Sequence, residues 1–236
     1  MLLPGLDGTE IFFGPLLALL PSWIDPVVVT YPATGPNAYD DLATIVDQAV
    51  DGLADFVILG WSFGGPLALM VAARRPSQVS GVVLCGSFVT PPHPMLIPFR
   101  FAVTAPVIAT VRAIRRTRLL IPGWATAELR AAKAMTRKRV NSRALAARAR
   151  AALGVDARRL LAECRSRVIY LVATSDEVIS RASLAEVLAN APDTQVAEID
   201  GPHLALFTNP VQSAARIADF LRSGRFPAQA PAASSR

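Results

Sequence analysis

Histidine and cysteine are almost missing from this 236-residue chain, which carries two of each. Cys85 and Cys164 are too few for a disulfide framework and lack the paired spacing of a thiolate metal site, so both are expected to be reduced thiols in a cytoplasmic protein. Long membrane-type runs are wanting as well: FAVTAPVIATV, held between Arg100 and Arg112, has 11 residues and is too short to span a bilayer. No basic stretch followed by an apolar one opens the chain, so no targeting signal is expected there. Acidic residues are scarce in the middle. Residues 100–167 hold 17 Lys and Arg against 3 Asp and Glu, a net +14, whereas the remainder nets −8 and the whole +6. A uniform surface would not gather its arginine this way, so the middle third is expected to form a separate structural layer. There is no aromatic-interleaved basic motif and no helix-turn-helix pattern, which argues against a nucleic-acid partner.

What is present is apolar sequence, 52% of positions, enough for one sizeable core. PVVVTYP (26–32), DFVILGWS (55–62), VSGVVLCGS (79–87) and RVIYLVATSD (167–176) read as buried strands, and the more alternating TQVAEID (194–200) as an edge strand. Between them lie helical patterns. The first runs from an N-cap at Asn37 to Gly52, the second from Gly64 to Pro76, the third over RASLAEVLANAP, and the last from Asn209-Pro210 to Gly224. Alternation of this kind predicts an α/β fold, a mostly parallel sheet with helices on both faces. Residues 90–160, Pro-rich and then Ala/Arg-rich, interrupt the rhythm as a helical insertion between core segments 1–89 and 161–224, and the Pro/Ala/Ser tail 225–236 reads as flexible.

The strand DFVILGWS ends in G-W-S-F-G, so Gly60, Ser62 and Gly64 satisfy G-x-S-x-G in the context that gives it meaning: strand, sharp turn, helix. Side chains at the flanking positions would collide with a nucleophile on such a turn, and the following helix aims its N–H groups at charge developing there. A serine hydroxyl needs a base. His203, in DGPHLALF after the last strand, is better placed than His93, which sits between prolines where the insertion begins. The orienting acid is assigned to Asp176, directly after the fourth strand, with Glu177 as fallback, since the loop CGSFVTPPH after the third strand has no carboxylate.

Four landmarks in order, LPGLDGT, GWSFGG, ATSDEV and GPHLALFTNP, make the chain resemble α/β-hydrolase-fold proteins from residue 1 to about 223. The resemblance implies a catalytic triad of Ser62, Asp176 and His203 and an oxyanion hole formed by the backbone N–H groups of Leu6 and Phe63, with Asp7 a turn residue at the rim. It implies that residues 90–160 form a cap over the site, whose apolar members, Phe99 and Trp124 among them, are candidates for the substrate pocket. Relatives usually carry further strands before the oxyanion turn, where this sequence has only Met1-Leu2-Leu3, so the first strands of the usual sheet are expected to be missing.

The expected function is a serine hydrolase of carboxylic esters or thioesters with no metal or cofactor. An acyltransferase using the same residues, and a silent ligand-binding protein on the same fold, stay open as alternatives. Epoxide and haloalkane chemistry is disfavoured, because relatives of that type have a carboxylate where Ser62 stands. The basic cap adds an expectation of weak association with an anionic membrane surface.

Overall fold

The computed structural model describes residues 1–115 and 124–224. Five strands, β1 (Leu2–Leu3), β2 (Phe56–Trp61), β3 (Val79–Cys85), β4 (Arg167–Ser175) and β5 (Gln195–Pro202), form one sheet in that order, every neighbouring pair parallel. The middle strands are covered on both faces, which is why their sequences are unbroken apolar runs. β5 alternates more because it is an edge.

The helices in chain order are α1 (Gly14–Leu17), α2 (Tyr39–Ala49), α3 (Gly64–Arg74), α4 (Ala105–Arg115), α5 (Ala127–Arg139), α6 (Ser142–Ala152), α7 (Arg158–Ala162), α8 (Arg181–Asn190), α9 (Ala205–Thr208) and α10 (Pro210–Ser223). One face of the sheet, through Ile58, Leu84 and Tyr170, packs on Leu42 of α2, Leu67 of α3, Leu161 of α7 and Val187 of α8. The other, through Leu59, Val83 and Leu171, packs on Leu16 of α1, Leu206 of α9 and Ile217 of α10. Consecutive strand residues thus serve opposite layers, as the pleat requires. Among the described residues no single helix is long and apolar enough to cross a membrane.

Two expectations are corrected. Residues 26–32 form no strand; Val28 makes an isolated bridge to Leu2, with Leu2 N–H donating to Val27 O at 2.7 Å and Val29 N–H to Leu2 O at 3.1 Å. The ladder stops there because its partner β1 is two residues long and turns away at Pro4-Gly5. Val29 and Tyr31 still point into the core, which accounts for the apolar character of the run. The N-cap of α2 is Ala38 rather than Asn37: the Asp41 carboxylate accepts from Ala38 N–H at 2.9 Å, and Asn37 is buried, engaged elsewhere.

The excursion that carries the basic sequence leaves the core after Val89 and returns at Ala157, whose N–H donates to Val89 O at 2.7 Å. It contains a 3-10 helix (Pro94–Ala102), α4, α5 and α6, while α7 already belongs to the core. The tail 225–236 lies outside the described residues.

Candidate active site

β2 delivers its last residues into a turn with no room for side chains. A Cβ on Gly60 would fall 2.3 Å from the Gly64 carbonyl oxygen, and one on Gly64 would fall 2.7 Å from that of Leu3. Ser62 sits between them at φ 53°, the one non-glycine residue with positive φ among those described. Such a conformation costs of the order of 1–3 kcal/mol and needs support. Ser62 N–H donates to Cys85 O at 2.9 Å, and Ser62 O accepts from Ser87 Oγ at 2.7 Å and Gly65 N–H at 3.1 Å. The Ser87 backbone is fixed in turn by the Tyr170 hydroxyl, which donates to Ser87 O and accepts from its N–H. Cys85 lies beneath the turn, where burial pushes its thiol far up and keeps it protonated.

Ser62 Oγ is 3.0 Å from His203 Nε2, and His203 Nδ1 is 2.9 Å and 3.1 Å from the two Asp176 oxygens. Asp176 Oδ1 also accepts from the N–H groups of Val178 and Ile179, both at 2.8 Å, so the turn after β4 holds the carboxylate in place. A carboxylate can only accept, so an Nδ1–H tautomer satisfies this contact and turns the Nε2 lone pair toward Ser62 Oγ. The His203 loop is pinned at its backbone, its carbonyl accepting from Trp61 Nε1 at 3.2 Å and its N–H donating to Glu177 Oε2 at 3.2 Å. Glu177, the fallback acid, thus touches the histidine main chain and not the ring. Gly86, at φ 47°, passes so close that a Cβ there would be 3.0 Å from Asp176 Oδ2.

Leu6 and Phe63 line the same cavity as Ser62 and His203. Neither backbone N–H has a hydrogen-bond acceptor among the described residues, which leaves both donors for a ligand oxygen. Phe63 is held by its ring, stacked on Tyr39 at 4.5 Å, and by Tyr39 Oη donating to its carbonyl at 3.1 Å. Asp7 accepts from the Thr9 N–H and hydroxyl, and burial raises its carboxyl above the ordinary range, with the Thr9 hydrogen bonds and Arg148 working against that shift.

With this geometry in view, the family model described as the alpha/beta hydrolase family matches residues 1–217. The chain belongs to the alpha/beta hydrolase family. Its relatives include a pimeloyl-[acyl-carrier protein] methyl ester esterase from Aromatoleum aromaticum, 29% identical over 212 residues that cover 81% of this chain and 82% of that protein. Among solved structures, the enol-lactonase of Burkholderia xenovorans LB400 is similar with a TM-score of 0.75 at 19% identity, covering 94% of this chain and 90% of its own. A thermophilic esterase from Thermogutta terrifontis has a TM-score of 0.77 at 18% identity, covering 94% and 88%. These structural likenesses show the fold.

In this alpha/beta hydrolase the cavity above Ser62 measures about 600 Å³, and the excursion after Val89 contributes Leu96, Val103, Val107, Ile108, Val111 and Leu153 to its wall. His93 lines it too, yet Ser62 Oγ is bonded to His203. Phe99 and Trp124, nominated from sequence, are not in that wall. The 3-10 helix bearing Phe99 contains Pro94 and Pro98, none of its nine residues is buried, and the ring is 64% exposed. Trp124 lies instead against Gly201, two residues before His203.

One residue of the site had no sequence signal. Arg148, on α6, is the largest fully buried side chain described. Its guanidinium donates to the carbonyls of Leu6 (3.1 Å), Asp7 (2.7 Å) and Pro32 (2.7 Å) and to Asn37 Oδ1 (2.8 Å), with Tyr31 against its face. Through Arg148, α6 therefore holds the Leu6-Asp7 turn after β1. In the sequence Arg148 was one of thirteen Lys and Arg between 90 and 155, and only the tertiary contact distinguishes it.

Proposed function

We propose that this protein is a serine hydrolase that cleaves carboxylic esters or thioesters through an acyl-enzyme on Ser62. The observation that carries the reading is the unbroken chain from Ser62 Oγ through His203 to Asp176, at 3.0 and 2.9 Å. His203 Nε2 takes the Ser62 proton as Oγ attacks the acyl carbonyl; Asp176 holds the resulting imidazolium; the Leu6 and Phe63 N–H groups receive the oxyanion. Each such donor is worth on the order of 3 kcal/mol of barrier. The proton then passes from His203 to the departing alcohol or thiol, and a water deprotonated by the same imidazole releases the acid. The esterase and lactonase names of its relatives support ester substrates.

Acyl transfer to an alcohol would use the same steps but requires water to be kept out. The cavity wall argues for water as acceptor, because Leu96, Val107 and Val111 both line it and face solvent. The test is labelling with a fluorophosphonate probe together with turnover of short-chain aryl esters. Wild-type protein is expected to label and turn over, and Ser62→Ala to do neither; full activity in that variant would refute the assignment.

A further inference from the structure

The misplacement of Phe99 points outward, to a surface the hydrolytic chemistry leaves unexplained. Met95, Phe99 and Phe101 are 87%, 64% and 76% exposed, and the 3-10 helix that bears them, PMLIPFRFA, has no buried residue. Of the fourteen large apolar side chains exposed among the described residues, seven lie between 95 and 111. A soluble surface does not normally concentrate its apolar groups this way without something to cover them. The 3-10 helix and α4 meet at a bend of 118°, forming an apolar elbow.

The sequence that carries this elbow is strongly basic. From 90 to 155 the chain has thirteen Lys and Arg and a single acidic residue, Glu128; Arg148 is buried, while Arg100, Arg130, Arg143 and Arg150 are among those that reach the surface. Arg100 lies over the Phe101 ring at 4.6 Å, and Arg150 donates to Val103 O at 2.7 Å, so cations stand at the root of the apolar tip. Two copies of this chain brought together through their caps would set these like charges against each other, which disfavours a cap-to-cap dimer. A bilayer with anionic headgroups meets both features at once: its phosphates pair with arginine, and its interfacial zone accepts Met and Phe without demanding a complementary groove. The surface is also continuous with the active-site cavity, because Leu96, Val107 and Val111 belong to the exposed face and to the cavity wall together.

We propose that the tip of the cap, Met95, Phe99 and Phe101 with the surrounding arginines, docks the protein on an anionic lipid surface and feeds a membrane-borne acyl ester along Leu96 and Val107 to Ser62. The docking rests on the cap alone; only the delivery of an ester rests on the hydrolase reading above.

Co-sedimentation of the full chain with vesicles of phosphatidylcholine, with and without phosphatidylglycerol, tests it. Binding is expected to be about tenfold tighter to the anionic vesicles and to weaken as salt is raised. The variant Met95→Ser/Phe99→Ser/Phe101→Ser is expected to bind at least about tenfold more weakly while turning over a water-soluble short-chain ester at about the wild-type rate. Phe101→Glu alone, at the edge of the tip, provides the same comparison should the triple variant fold poorly. Equal binding of wild type and variants, or equal binding to both kinds of vesicle, overturns the proposal. So does a dimer seen by light scattering that the triple variant abolishes, which would assign the tip to a second copy, or capture by an acidic protein with no vesicle binding. Ser62→Ala is expected to bind vesicles as wild type does; vesicle binding without ester turnover in the wild type would leave the docking standing and remove the hydrolase reading.

Discussion

Asp176 and Glu177 are neighbours in sequence with unlike positions, and the difference yields a prediction. The Asp176 carboxylate reaches the imidazole Nδ1, while Glu177 reaches only the main-chain N–H of His203. In Asp176→Asn the amide can donate to Nδ1 and favour the wrong tautomer, so kcat is expected to fall by on the order of 10⁴ with binding little changed. Glu177→Gln keeps an acceptor for the same N–H and is expected to stay within about threefold of wild type. Steady-state kinetics on one aryl ester separates the two. The sequence assigns the acid to Asp176, with Glu177 as fallback, because both follow β4; that Asp176 meets the ring depends on the turn at Val178 and Ile179, whose N–H groups draw it inward.

Among the secondary-structure elements, α6 reaches the turn after β1 through a buried arginine. Arg148 leaves α6 to satisfy three backbone carbonyls, two of them in the turn after β1 at Leu6 and Asp7, where Gly8 at φ 70° leaves the guanidinium its space. Arg148→Met preserves bulk but strands those oxygens. It is expected to cost about 3 kcal/mol of stability, read as a lowered Tm, and to lower kcat by roughly 10–10² with KM nearly constant. A boronic acid, whose tetrahedral adduct places an oxygen in the oxyanion hole, is expected to bind about tenfold less well. Arg143→Met, exposed on the same helix, is expected to change neither. The strand-turn-helix around Ser62 was legible in sequence because its demand for glycine is local: Gly60 and Gly64 would each collide with backbone if they carried a Cβ. The α6 contact was not legible, since a helical pattern rich in Ala and Arg does not say which arginine faces inward.

For the molecule as a whole, the sheet and residues 90–156 border an apolar cavity of about 600 Å³ at Ser62, whose size and lining would, on the proposed hydrolase reading, set the substrate range. Burying one methylene is worth about 0.8 kcal/mol, so kcat/KM is expected to rise by up to about fourfold per added CH₂ from acetyl esters upward, until the cavity is full. A series of p-nitrophenyl esters from acetate to decanoate checks this; a flat profile would mean that the acyl chain does not lie against Val103, Val107 and Ile108. The sequence by itself determined strands β2 to β5 and helices α2, α3, α8 and α10, the glycine-framed turn at Ser62, and the loops that carry Asp176 and His203, because each depends on local backbone sterics or on hydrophobic periodicity. Only the tertiary structure decided that Leu2–Leu3 is a strand while residues 26–32 are not, that Arg148 is inside, and that Phe99 is outside. Those outcomes depend on what lies opposite: a strand needs a partner long enough to pair with it, a buried guanidinium needs carbonyls in reach, and an aromatic ring is core only where another element covers it.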